Sequence, residues 1–132
     1  MQVDEIDVAD TIGVGTPQRV RDVMTAVTRV VDPARVSGHF HDTYGQAIAN
    51  IATCLEEGVR VVDSAVSGAG GCPYAKGASG NVASEDVVYL LQGLGLDSGV
   101  DLPALAETGR WLAGLLGRAT ASRTGQALAA AG

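Results

Sequence analysis

The chain has 132 residues, 46% of them hydrophobic and 18% charged, with only one Phe, three Tyr and one Trp. That is enough for one modest domain with a real core, and an apolar mass made of Val, Leu, Ile and Ala suits parallel strands covered by helices. A net charge of −6 argues against nucleic acid or an anionic membrane as partner, since both need a basic surface, and no apolar run approaches the roughly 20 residues of a membrane span.

The opening stretch MQVDEIDVAD is acidic and lacks the basic-then-apolar layout of a secretory leader. The expected setting is cytoplasmic, where Cys54 and Cys72 stay reduced. Residues 5–8 (EIDV) alternate as a strand does and run into a Gly-rich turn, DTIGVGT. Thr16 is placed to cap a helix and Pro17 suits its first position. Val20, Val23, Met24, Val27, Val30 and Val31 then recur at the spacing of one helix face, and Pro33 closes the element. Residues 35–41 (RVSGHFH) read as a short strand. A helix over 46–57 follows, with Ile48, Ile51, Ala52 and Leu55 inward and Gly58 as its stop. Residues 59–66 (VRVVDSAV) give the cleanest strand in the chain.

After the Gly-rich loop GAGGCPYAKGASGN (68–81), Ser84 is placed to cap a helix carrying Val87, Val88, Leu91 and Leu94, ended by Gly95. A last helix from about Asp101 turns Leu102, Leu105, Leu112 and Leu116 inward. From residue 119 the small-residue tail is weakly patterned and reads as frayed.

The order β-α-β-α-β-loop-α-α calls for parallel strands joined by right-handed crossovers. Three strands cannot close a barrel, and a (β/α)8 barrel takes about 250 residues. Residues 1–118 therefore read as about strands six to eight of such a barrel with its C-terminal helices, and 119–132 as a tail.

Chemistry-bearing residues fall at the C-terminal ends of the predicted strands, the edge where parallel α/β folds bind ligands. These are Asp10 after the first, His39, His41 and Asp42 at the second, and the Cys72 loop after the third. His39 and His41 are the only histidines. Residues i and i+2 of a strand share a face, so two imidazoles could converge on one divalent ion, or simply be hydrogen-bonded near a strand end. Two imidazoles are not a full coordination sphere, and Asp10, Asp42 and Asn81 are the local oxygen candidates. Cys54 fits a buried helix face as a small hydrophobe. Cys72, among Gly70, Gly71 and Pro73, has little core to be buried in; a thiol there could serve as acid, base or nucleophile. GVG and GASGN are too short to indicate a dinucleotide site, and the three-glycine fingerprint is absent.

Three segments taken together, DTIGVGTP (10–17), HFHDTYGQA (39–47) and VVDSAVSGAGGCPYAKGASGN (61–81), resemble the 3-hydroxy-3-methylglutaryl-CoA (HMG-CoA) lyase family in order and spacing. The Gly-rich cysteine loop is the specific part; HxHD is shared with the wider group of metal-dependent Claisen-type lyases and synthases. The resemblance covers about residues 5–118. It implies a TIM-barrel lyase that splits the acyl-CoA substrate HMG-CoA into acetyl-CoA and acetoacetate in leucine breakdown, a dimer in its full-length form.

It also implies a Mg²⁺ or Mn²⁺ ion held by His39, His41 and Asn81, and Cys72, His39 and Asp10 as catalytic positions. Glu85 matches an acidic position beside the loop. The chemistry asks for a Lewis acid on the substrate's oxygens, a base for the tertiary hydroxyl proton, and an acid for the departing enolate carbon. Cys72 suits the last task if its loop closes and excludes water.

The family's first barrel strand, with an Arg-Asp pair that completes the metal shell and faces the developing oxyanion, has no counterpart here. The resemblance thus implies a chain that cannot catalyse alone. It is either the C-terminal part of a lyase or a non-catalytic remnant or interaction module, and its uncovered strand edges are expected to make it self-associate.

Overall fold

The computed structural model describes residues 3–71, 77 and 79–131. These residues divide into two compact units. One is made of Met1–Asp63 and a segment ending at Gly80, the other of Ser64–Gly71 and Asn81–Gly132.

In the first unit, β1 (Ile6–Asp10), β2 (Val36–Phe40) and β3 (Val61–Asp63) form a parallel sheet in the order β1-β2-β3. The register pairs Ile6 with Val36, Asp10 with Phe40, and His39 with both Ala9 and Asp63. Helices α1 (Pro17–Thr28) and α2 (Ala47–Glu56) connect the strands. Apolar residues of α1 (Val20, Met24), β2 (Val36, Phe40) and α2 (Ile51, Cys54) make the core. Burying a side chain such as Met24 or Ile51 is worth about 1.5–3 kcal/mol.

The sheet has two unlike faces. A Cβ on Gly38 would lie 2.8 Å from the Phe40 ring and 3.0 Å from Cys54 Sγ. Val36, Gly38 and Phe40 therefore face α2, and Gly38 is a glycine because the helix comes this close. By strand alternation Ser37 and His39 point to the opposite face. Asp7 and Asp63, their neighbours in register, share it.

In the second unit, α3 (Ser84–Gly93), α4 (Leu102–Leu115) and α5 (Arg123–Ala131) pack on one another and on the 3-10 turn Val66–Gly68. A lone parallel bridge joins Ala65 to Ala83. Asp101 caps α4 by accepting from Ala104 N–H, as an aspartate before a helix is suited to do. Among the described residues no helix is long and apolar enough to cross a membrane.

Several expectations need correction. The strand predicted over 59–66 is regular only over Val61–Asp63, and Val61 is 43% exposed. Beyond it Ser67 takes φ +58°, and a left-handed residue cannot continue a strand. Ser84 does not cap α3; it is the first helical residue, Ala83 occupies the cap, and the Ser84 hydroxyl bonds that of Ser64. Thr16 sits at the N-cap of α1 without a side-chain cap bond. Val23, Val30, Leu94 and Leu116 are exposed rather than inward. On α4 the buried stripe is Leu102, Ala106, Gly109 and Ala113, small residues that admit a close neighbour. The tail is not frayed, since residues 123–131 form α5.

Candidate metal centre

His39 and His41 stand at the C-terminal end of β2, the central strand. Their ring centroids are 5.1 Å apart with the planes tilted by 51°, so one cation could be reached from both rings. His41 is 7% exposed, and its Nδ1 is buried with no hydrogen-bond partner among the described residues. A buried polar atom left in this way costs about 1–3 kcal/mol, and a cation ligand would satisfy it. His39 is tethered instead: its Nδ1 lies 3.2 Å from Asp63 Oδ2. Asp7, His39 and Asp63 each place one ligand atom within 4.8 Å of the others, and Asp7 also accepts from the Ser37 hydroxyl at 2.8 Å.

The oxygen candidates are placed differently. Asp10 pairs in register with Phe40, hence with the helix-covered face, and its two carboxylate oxygens accept from Val14 N–H at 3.1 Å and Gly15 N–H at 2.8 Å. A Cβ on Gly15 would lie 2.8 Å from Asp10 Oδ2, so the glycine lets the turn close on the carboxylate. Asp42 accepts from Ala47 N–H at 2.9 Å and so caps α2 from outside the helix. In the second unit, Asn81 Nδ2 donates to the Ala69 carbonyl at 3.0 Å. That bond fixes which end of the amide is nitrogen and leaves Oδ1 for another partner. Gly70, at φ +113°, holds its backbone where a Cβ would come 2.6 Å from Asn81 Nδ2.

Cys72 and the residues beside it in the glycine loop lie outside the described residues. Cys54 is fully buried, and burial pushes its thiol up to about 11, with Asp7 and Glu57 adding to the rise. It is a packing residue.

Glu85 is fully buried in the second unit. Both of its oxygens lie 3.0 Å from Ser67 N–H, so it holds the root of the turn that leads into the loop. Burial raises its pKa, backbone N–H groups of Glu85 and Ser67 lower it, and Asp86 raises it further. Sequence reading passed over Asp63 and Asp7. The signal was available: an acidic residue ending the strand beside the histidine strand comes level with His39 once the register is known.

A family model described as HMGL-like matches residues 1–112. The chain belongs to the HMGL-like family. It is 55% identical over 126 residues to a 3-hydroxy-3-isohexenylglutaryl-CoA/hydroxy-methylglutaryl-CoA lyase of Pseudomonas aeruginosa, covering 96% of this chain and 42% of that protein. The crystal structure of hydroxymethylglutaryl-CoA lyase from Pseudomonas aeruginosa superposes with a TM-score of 0.93 at 53% identity, over 98% of this chain and 43% of that one. An HMG-CoA lyase from Acinetobacter baumannii, solved with coenzyme A and 3-methylmalate, matches with a TM-score of 0.89 at 38% identity, over 95% and 41%. The chain thus spans about two-fifths of the length of these relatives, and its parallel βα units are a portion of a (β/α)8 barrel.

Proposed function

We propose that this chain carries the C-terminal part of the active site of an HMG-CoA lyase, which cleaves HMG-CoA to acetyl-CoA and acetoacetate. The observation that carries the reading is the pair of imidazoles at the C-terminal end of β2, one with a buried ring nitrogen that has no partner among the described residues. Kinship with lyases, one of them solved with coenzyme A, supports the choice of substrate class. A divalent cation such as Mg²⁺ or Mn²⁺ suits His39 and His41, which would supply imidazole nitrogens, and the family resemblance adds the amide oxygen of Asn81. When bound, such a cation supplies Lewis acidity to the substrate's oxygens.

The chain's own residues do the rest. His39, presented from the central strand, would hold the cation against the substrate's hydroxyl oxygen, and the base that takes the hydroxyl proton then belongs to the barrel strands outside these 132 residues. Asp10 fixes the turn over residues 11–15 from the far side of the sheet, and so acts by positioning. Cys72 delivers its thiol proton to the enolate carbon of the departing acetyl-CoA, and the thiolate then recovers a proton from solvent. The barrel strands outside these 132 residues complete the constellation, so the chain alone turns over no substrate.

An assay for acetoacetate release decides this. The chain by itself should be silent, and mixing it with the remaining part of a relative's barrel should restore turnover that Cys72→Ser or His41→Gln removes. Robust activity of the chain alone would overturn the incompleteness. A reconstituted barrel that binds cation and coenzyme A yet never releases acetoacetate would favour a binding module instead.

A further inference from the structure

Asp63 ends β3 in register with His39, and its Oδ2 lies 3.2 Å from His39 Nδ1. An ionised carboxylate can only accept, so the shared hydrogen must sit on Nδ1. A neutral imidazole carries one ring hydrogen. Fixing it on Nδ1 leaves Nε2 with its lone pair bare, the form a cation or a proton donor would meet. The strand register makes this pairing a property of the backbone: His39 and Asp63 are direct parallel partners. Among the described residues His41, two residues on, has no such carboxylate, and its Nδ1 is orphaned.

We infer that Asp63 is a positioning residue that locks the tautomer and ring orientation of His39, so that Nε2 is presented for ligation. The inference deepens the lyase reading and rests on it for the ligand. The tautomer itself stands apart from that reading. Asp7 is the competing explanation, since it joins His39 and Asp63 in an acidic cluster that could take a cation directly.

The test is ¹⁵N NMR of the histidine rings in the full chain, free of metal, at about pH 8.5, where imidazoles are ordinarily neutral. Mn²⁺ titrations then follow on the same samples. His39 should show a protonated Nδ1 and a bare Nε2. Asp63→Ala should release it to a mixture of tautomers and weaken Mn²⁺ binding about 10–100-fold. Asp63→Asn, which keeps an acceptor oxygen, should rescue most of the tautomer preference. His41 resonances should stay put across the metal-free samples, which separates a local effect from unfolding. A His39 protonated on Nε2 in the native chain, or one unchanged in Asp63→Ala, overturns the inference. So does Mn²⁺ binding that Asp7→Asn abolishes while the tautomer is intact, because the cluster would then be the cation site. If the native chain shows the expected tautomer and no Mn²⁺ binding, the positioning stands and the metal reading fails.

Discussion

The turn after β1 and the turn at Val66–Gly68 are built by the same device in two different media. In the first unit Asp10 closes residues 11–15 with one N–H on each oxygen, Val14 on Oδ1 and Gly15 on Oδ2, at a half-buried position. In the second unit both oxygens of Glu85 share the single N–H of Ser67, at a position sealed from solvent. Asp10 is well satisfied and partly hydrated. Glu85 is sealed from solvent, so desolvation dominates and lifts its pKa although the backbone N–H groups of Glu85 and Ser67 oppose the rise. A carboxylate that organises a turn is thus stabilising near solvent, whereas inside a helical cluster it is held at a cost that surrounding packing offsets.

The packing on which Glu85 depends is tight enough to break the comparison at one atom. A Cβ on Gly109 of α4 would lie 2.0 Å from Glu85 Oε1. Gly109→Ala must therefore move the carboxyl or the helix. Alanine gains about 1 kcal/mol of helix propensity over glycine, and overpacking costs about 3 kcal/mol. The net expectation is a chain destabilised by about 2 kcal/mol, read as a lower urea midpoint. An unchanged midpoint would show that Glu85 has room, and the contrast with Asp10 would lose its basis.

The second prediction concerns pH. A group whose folded pKa is raised contributes stability that is fully present below its unfolded value and is lost as pH rises through the folded one. For Glu85 the loss begins above the ordinary glutamate value of 4.5. Glu85→Gln removes the titration, so the stability of the variant relative to the parent should climb as pH rises above 4.5. Parallel stability curves over that range would mean that the buried carboxyl costs nothing to ionise.

The sequence made the units of the fold legible where periodicity and punctuation agreed. Pro17 opens α1, Gly58 follows α2 at φ +92°, and Asp101 caps α4. The histidine pair was legible because strand alternation alone puts His39 and His41 on one face. Long-range pairings were not. Residues 119–132 read as a tail because its helix is held by a distant carboxylate: Asp86 accepts from the Ser122 hydroxyl at 2.8 Å and from Thr124 N–H at 2.7 Å. Nothing in ATASRTGQALAAAG encodes that partner. The same holds for Asp63, whose use depends on a register that only the assembled sheet defines. The bulky residues Leu94 and Leu116 misled because buried area on α3 and α4 follows close approach, which Ala106 and Gly109 permit, rather than hydrophobicity.

The smallest expected effect sharpens the comparison from the Asp10 side. Asp10→Asn leaves one oxygen to accept, while the amide NH₂ faces a second backbone donor. One of the two N–H bonds is lost and the other is no longer charge-assisted. The loss is about 1–1.5 kcal/mol, or roughly a tenfold rise in local opening. Amide exchange should report it at Val14 and Gly15 and leave the α2 amides as they were, since α2 is capped separately by Asp42. Because Asp10 sits near solvent, water can reach the freed N–H and limit the cost, a relief that Ser67 in its sealed turn does not have. Exchange that quickens across the whole first unit would mean that Asp10 supports the sheet as well as its turn. Protection unchanged at both amides would show that the glycines alone shape the turn, and that only the buried carboxylate of the two is needed by the backbone it binds.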